Sequence, residues 1–220
     1  DLTKINFIYM WLSGWCTACL LCLFQPFMKL WVGEELMFSM PIVILFCIYF
    51  YSLEMGVIRG VYSDAAGLWW ENRYRAIAES LANIILNYVL GKYFGVAGII
   101  IATLASLLVI NFGLGSQIVF KHYFKNGKLK EYFKYHGIYA LVTLIVCSVT
   151  YFMTSNLTLD GILGLVVRFV ICCIVPNILY VAIYYRTRNY SNAIPWLLKV
   201  FHLNRIFSFL VPKAWKIEVI

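Results

Sequence analysis

Glu79, Asn83 and Asn87 recur every four residues within the run GLWWENRYRAIAESLANIILNYVLGKYFGVAGIIIATLAS, from Gly67 to Ser106, and Arg75 precedes Glu79 by the same interval. Positions i, i+4 and i+8 of an α-helix fall near one face, so these residues form one polar stripe with Arg75 at its entrance. The run reads as two membrane-spanning helices joined by a very short turn. Polar groups at that depth are costly in hydrocarbon and face a bundle interior or a watery cavity. Glu54 and Arg59 lie in a second apolar run and Arg168 in a third. Glu54 and Arg59, five residues apart, sit about 140° apart around an ideal helix, so each needs a partner on another helix or water. Arg75 and Glu79, four apart, are placed for a local ion pair. Arg168 lies roughly 9 Å into its span at 1.5 Å per residue, where it either snorkels outward or faces a cavity. Ionisable residues of both signs on three spans point to a hydrated path for a charged cargo. Arg59, Arg75, Asn83, Asn87 and Arg168 are the candidate cavity contacts, and Glu54 and Glu79 the candidate ion-coupling acids.

Other chemistries find less support. Cys16, Cys19 and Cys22 are three residues apart, and Cys47, Cys147, Cys172 and Cys173 also lie in apolar runs. A structural zinc site takes four Cys and His ligands, whereas His122, His136 and His202 all fall outside the spans drawn below. The thiols therefore read as small buried hydrophobes, and no metal or other cofactor is expected beyond H⁺ or Na⁺ coupling. No Ser-His-Asp or HExxH arrangement occurs, and no Gly-rich phosphate loop, so the chain is not expected to be an enzyme.

The elements that must hold these residues follow from composition. With 63% hydrophobic and 13% charged residues, the chain lies far from the soluble average of about 45–50% apolar and about 25% charged. It is an all-α integral membrane protein. Six stretches approach the ~20 residues needed to cross a bilayer: about 5–27, closing at Gln25-Pro26; 41–62, opening at Pro41; 74–90; 95–119; 137–153; and 162–185, with a kink expected at Pro176. Residues 1–185 are thus expected to form a six-helix bundle, and 186–220 a basic-aromatic tail lying along the membrane surface. Gly98, Ala102 and Ser106 recur at the small-xxx-small spacing that brings membrane helices close. Asp1, rather than Met, directly before a span suggests a C-terminal piece of a longer chain.

Charge orients the bundle. Of 18 Lys and Arg, Lys29 and Lys92 fall on one side and Arg59 and Arg168 inside spans, leaving fourteen on the side of the N-terminus. The positive-inside rule puts both ends in the cytoplasm and accounts for the net charge of +8 without any nucleic-acid partner. The segment FKHYFKNGKLKEYFKYH, Phe120 to His136, interleaves lysines with aromatics and is expected to be an interfacial helix between spans.

Three segments also carry a family resemblance: PFMKLWVGEEL at Pro26 to Leu36, the Gly67–Ser106 run, and VFKHYFK at Val119 to Lys125. In this order the chain, from Leu2 to about Tyr185, resembles the C-terminal half of a bacterial polysaccharide flippase of the multidrug/oligosaccharidyl-lipid/polysaccharide exporter superfamily. The resemblance implies one half of a protein of twelve or more helices, with two bundles around a central cavity. It implies a bacterial inner-membrane protein that flips undecaprenyl-diphosphate-linked oligosaccharide units to the outer leaflet by alternating access, for O-antigen or capsule synthesis. Cationic cavity residues would meet the diphosphate and acidic ones couple an ion, with Arg73, Arg75, Glu79, Asn83 and Asn87 at the matching positions. The partners implied are the lipid-linked oligosaccharide, the bilayer and a missing N-terminal bundle. The alternatives are another exporter of the superfamily, for a drug or a peptidoglycan lipid, or a membrane enzyme of polysaccharide assembly such as a polymerase or acyltransferase.

Overall fold

The computed structural model describes residues 2–125 and 127–201. The chain is all-α: α1 (Leu2–Trp31), a 3-10 turn at Glu34–Leu36, α2 (Met40–Ala65), α3 (Trp69–Ser106), a short α4 (Gly115–Val119), α5 (Leu129–Ser155), α6 (Gly161–Tyr184) and α7 (Arg188–Val200). Wide π-helical turns at Leu107–Leu114 and Phe120–Phe124 flank α4, so helix continues without a break from α3 to Phe124.

That continuous stretch of 56 residues would be about 84 Å long if straight, nearly three hydrocarbon thicknesses. It is instead a hairpin. Gly95 adopts φ 59°, ψ −137°, open to glycine because no Cβ obstructs it, and the contacts on either side are symmetric about it. A Cβ added to Gly98 would collide with the Leu90 carbonyl, one at Gly91 would press on Ile99, and Asn83 Nδ2 donates to Ser106 Oγ at 3.0 Å. The small-residue face thus lets the two arms touch backbone to backbone. Counting the arms separately (69–94 and 96–124), the described chain has six apolar helical passes, and it is a multi-pass membrane protein by their length and composition.

Three boundaries differ from the sequence reading. First, α1 does not close at Pro26 but continues to Trp31; a proline this near the C-terminal end removes one backbone donor without preventing a last turn. Second, the expected interfacial helix over 120–136 does not form. Its first residues complete the fourth pass through Phe124, its last belong to α5, and the connection is only residues 125–128. Phe120 and Tyr132, read as headgroup-level aromatics, are buried, with ring centroids 5.1 Å apart and planes tilted by 51°. Third, the third pass opens at Trp69 rather than at 74.

The core lies between α1, α5, α6 and α7. Phe7, Met10, Tyr139, Val146, Tyr180, Tyr184, Tyr190 and Ile194 form one buried cluster there. Two indoles join α1 to α6: Trp15 Nε1 donates to the Cys172 carbonyl at 2.8 Å and Trp11 Nε1 to Asn177 Oδ1 at 2.8 Å. The first has a cause in the sequence. Pro176 has no N–H, so the carbonyl four residues before it is left open, and Trp15 fills that vacancy. The first part of the basic-aromatic tail expected over 186–220 is α7, too short to cross at 13 residues, packed on the core through Tyr190 and Ile194 and capped by Thr187 Oγ1 accepting from Tyr190 N. Residues 202–220 of that tail, including His202, lie outside the described residues.

Candidate functional site

The ends of α2 and α3 meet the fourth pass on the side of the bundle that carries Leu2. Arg59 and Ser63 occupy successive turns of α2; Asn72, Arg75 and Glu79 occupy successive turns of α3; Asn111 lies in the first π-helical stretch. Their side chains form one hydrogen-bonded path from Arg59 to Ser63, which the turn of α2 between those two residues closes into a ring. Arg59 Nη2 donates to Asn111 Oδ1 at 2.8 Å, and Asn111 Nδ2 donates to both Glu79 oxygens at 3.0 Å. Arg75 Nη1 pairs with Glu79 Oε2 at 2.8 Å while its Nε donates to Asn72 Oδ1 at 2.9 Å. Asn72 Nδ2 returns to Ser63 Oγ at 2.8 Å. The Asn111 amide is fixed in orientation, since its oxygen must face a guanidinium and its nitrogen a carboxylate.

Charge in the ring is unbalanced. Glu79 is committed to Arg75 and Asn111, and no carboxylate pairs with Arg59 among the described residues. Arg59 is 5% exposed, and its Nε is buried without a hydrogen-bond partner. Gly115 makes room for it, since a Cβ there would overlap the guanidinium, whereas one at Gly56 would make only ordinary contact, 3.6 Å from Nη2. A buried charge lacking a counter-ion is among the costliest arrangements in a protein, more so at membrane depth. Beside the ring is a cleft of about 460 Å³ whose walls include Arg59, Arg75, Asn72, Ser63 and Asn111, with Arg73 and Asp64 also on its lining. It is an electropositive recess suited to an anion, with guanidinium forks for charge-assisted hydrogen bonds to oxyanions.

The other candidates lie outside the ring. Asn83 and Asn87 do face the same side of α3 as Glu79, as the four-residue spacing predicts. They bond inside the hairpin, Asn87 Nδ2 donating to Asn83 Oδ1 at 2.5 Å and Asn83 to Ser106, while Asn87 Oδ1 is buried without a partner, and neither lines the cleft. Arg73 folds over the rings of Trp70 and Tyr74, at 3.7 and 4.2 Å from their centroids, and donates to the Trp70 carbonyl. Glu54 accepts from Tyr9 Oη at 2.7 Å, joining α2 to α1. Arg168 is near the opposite end of the bundle, where it donates to the carbonyls of Leu159 at 2.8 Å and Leu157 at 3.0 Å. Its charge is thereby turned onto the α5–α6 loop, and it does not meet Arg59. Arg75 and Glu79 form the local pair that their spacing allows. The seven cysteines are free, and among the described residues no three of His, Cys, Asp and Glu are grouped to hold a metal.

Asn111, Ser63 and Asn72 were not singled out from the sequence. Asn111 is the only strongly polar residue in the run ASLLVINFGLG, a signal of the kind that drew attention to Asn83. No family model, curated protein or solved structure matches the chain.

Proposed function

We propose that this chain forms one bundle of a membrane exporter that moves an anionic lipid-linked cargo, and that Arg59 meets the anionic group. The observation carrying this reading is a buried guanidinium, without a carboxylate partner among the described residues, on the wall of a cleft in a membrane-spanning bundle. An ordinary structural arginine in such a place would carry its own counter-ion. Arg59 instead has an amide and an open recess, which leaves the counter-charge to a ligand. Arg75, already half neutralised by Glu79, adds a second fork on the same wall.

The resemblance in the Pro26–Leu36 and Gly67–Ser106 segments supplies the cargo class: an undecaprenyl-diphosphate-linked oligosaccharide, carried between leaflets of a bacterial inner membrane for O-antigen or capsule assembly. The diphosphate binds Arg59 and Arg75, the sugars occupy space between this bundle and a second one, and the polyprenyl chain stays in lipid. Glu79 accepts a proton or neighbours a sodium ion when the cargo draws Arg59 or Arg75 away from the ring, which biases inward and outward states.

The test is complementation of a strain that lacks its repeat-unit flippase, with lipid-linked units assayed in each leaflet. The parent gene moves units to the outer leaflet, Arg59→Ala abolishes this at normal membrane abundance, and Arg59→Lys restores part of it. Normal export by Arg59→Ala would defeat the reading. Units that cross without the gene but stay unpolymerised or unmodified would make the protein an enzyme of the pathway instead.

A further inference from the structure

A second recess, of about 600 Å³, opens on the same side of the bundle but between α1, α5 and α7. Five elements end around it: the first turns of α1, α5 and α7, the last turn of α2 at Tyr62, and the end of the fourth pass at Phe124. In a membrane-spanning bundle the ends of spanning helices lie near headgroup level, which puts the ends of α2 and the fourth pass and the start of α5, and so this recess, within reach of lipid headgroups.

Its lining combines the rings of Tyr62, Phe120, Tyr132 and Tyr135, the charged Arg188 on α7 and Glu131 on α5, and the amides of Asn6, Asn189 and Asn192. Asn189 Nδ2 is used, donating to Tyr139 Oη at 2.8 Å. Asn6 is different. It is 7% exposed, lines the recess, and its amide makes no hydrogen bond to any described residue. An amide has two donors and two acceptor lone pairs, and here they are left to whatever occupies the recess. Asn192 adds a second amide from α7.

We propose that this recess binds a phospholipid headgroup that joins a phosphodiester to a hydroxyl-rich end, as in phosphatidylglycerol. The phosphodiester meets Arg188 at the wall, in the manner of cationic pockets between membrane helices. The hydroxyls satisfy Asn6 and Asn192, and Glu131 accepts from one of them. A choline headgroup would suit the aromatic walls but has no donor or acceptor at its cationic end, so it would offer the Asn6 and Asn192 amides no hydrogen bond. The site is separate from the Arg59 ring and does not rest on the exporter reading.

Native mass spectrometry of the purified chain in detergent tests this, with phosphatidylglycerol and phosphatidylcholine of identical acyl chains as probes and glycerophosphoglycerol as the soluble competitor. The expected result is one phosphatidylglycerol retained with at least about tenfold preference, equivalent to about 1.4 kcal/mol. Asn6→Leu and Arg188→Gln each remove most of that preference, while Arg186→Gln, exposed and off the lining, leaves it intact. Asn192→Leu, at a half-buried position, carries the amide arm if Asn6→Leu unfolds, with lipid-free thermal unfolding as the folding check. Equal retention of phosphatidylcholine, or an Arg186→Gln loss as large as that of Arg188→Gln, overturns the proposal. Binding of the soluble competitor without retention of the lipid also overturns it; a lipid that the competitor fails to displace supports it.

Discussion

Phe7 and Arg59 are almost equally hidden, at 0% and 5% exposure, yet their surroundings have nothing in common. Phe7 is ringed by Trp11, Tyr139, Tyr184 and Tyr190, with centroids 6.1, 6.1, 5.1 and 6.4 Å away and three of the four edge-on at 80° or more. Every element of the α1–α5–α6–α7 half contributes to that cluster. Arg59 is held by one amide, and beside it is open space. Lipid tails are as apolar as any side chain, so helices in a bilayer associate through close packing and interhelical hydrogen bonds. One half of this bundle relies on the first and the α2–α3–fourth-pass junction on the second. Dense edge-to-face packing has few alternative arrangements; a ring of hydrogen bonds to amides and guanidiniums can exchange partners with a ligand. Stability should therefore concentrate around Phe7 and function around Arg59.

Substitutions separate the two. Phe7→Ala should lower unfolding stability in detergent by about 3–5 kcal/mol, the range for a large aromatic removed from a packed site, while the protein that remains folded exports normally. Gly98→Leu comes next, because its Cβ would strike the Leu90 backbone, which cannot rotate away. Splaying the hairpin should cost about 1–3 kcal/mol and break the Asn83–Ser106 bond. Asn111→Leu should cost less than about 2 kcal/mol, as interhelical hydrogen bonds in membranes do, but remove export as fully as Arg59→Ala. If Asn111→Leu instead destabilises the chain as much as Phe7→Ala, the ring is scaffold and the contrast collapses.

Much of this architecture was legible in the sequence. Six passes, the tight third–fourth hairpin and the shared face of Glu79, Asn83 and Asn87 all follow from local periodicity, which needs no knowledge of neighbours. What periodicity conveys poorly is the partner. Asn111 and Glu79 are 32 residues apart, and only the fold about Gly95 brings them together. Arg59 could be recognised as costly from its position, but Gly115, which makes room for its guanidinium, lies on another helix. Arg168 satisfies itself with loop carbonyls, and carbonyls are the one acceptor that every residue carries, so composition cannot flag them. The 120–136 segment misled for a related reason: alternating aromatics and lysines describe an interfacial helix and a pair of helix ends equally well, and only burial of Phe120 and Tyr132 distinguishes them.

Arg168 sharpens the contrast from the other end of the bundle. Its hydrogen bonds go to its own loop, so Arg168→Gln should leave export intact and alter only the local stability of the α5–α6 connection, read by hydrogen exchange of residues 156–161. An export defect equal to that of Arg59→Ala would mean that this cation also meets the cargo.

The smallest effect belongs to the Lys29–Glu34 pair, 2.7 Å apart and exposed on both partners. Lys29 holds the Glu34 carboxyl below its ordinary value of 4.5, by hydrogen bond first and charge second. A carboxylate with a depressed folded pKa contributes stability above its unfolded pKa and loses it as pH falls through the folded one. Glu34→Gln should thus lower the unfolding midpoint slightly at pH 7 and not at all well below pH 4, and salt should erase the difference. Both ends of this pair lie outside the aromatic cluster and the Arg59 ring, so a large effect here would mean that the connection between α1 and α2 matters to stability as much as the core does.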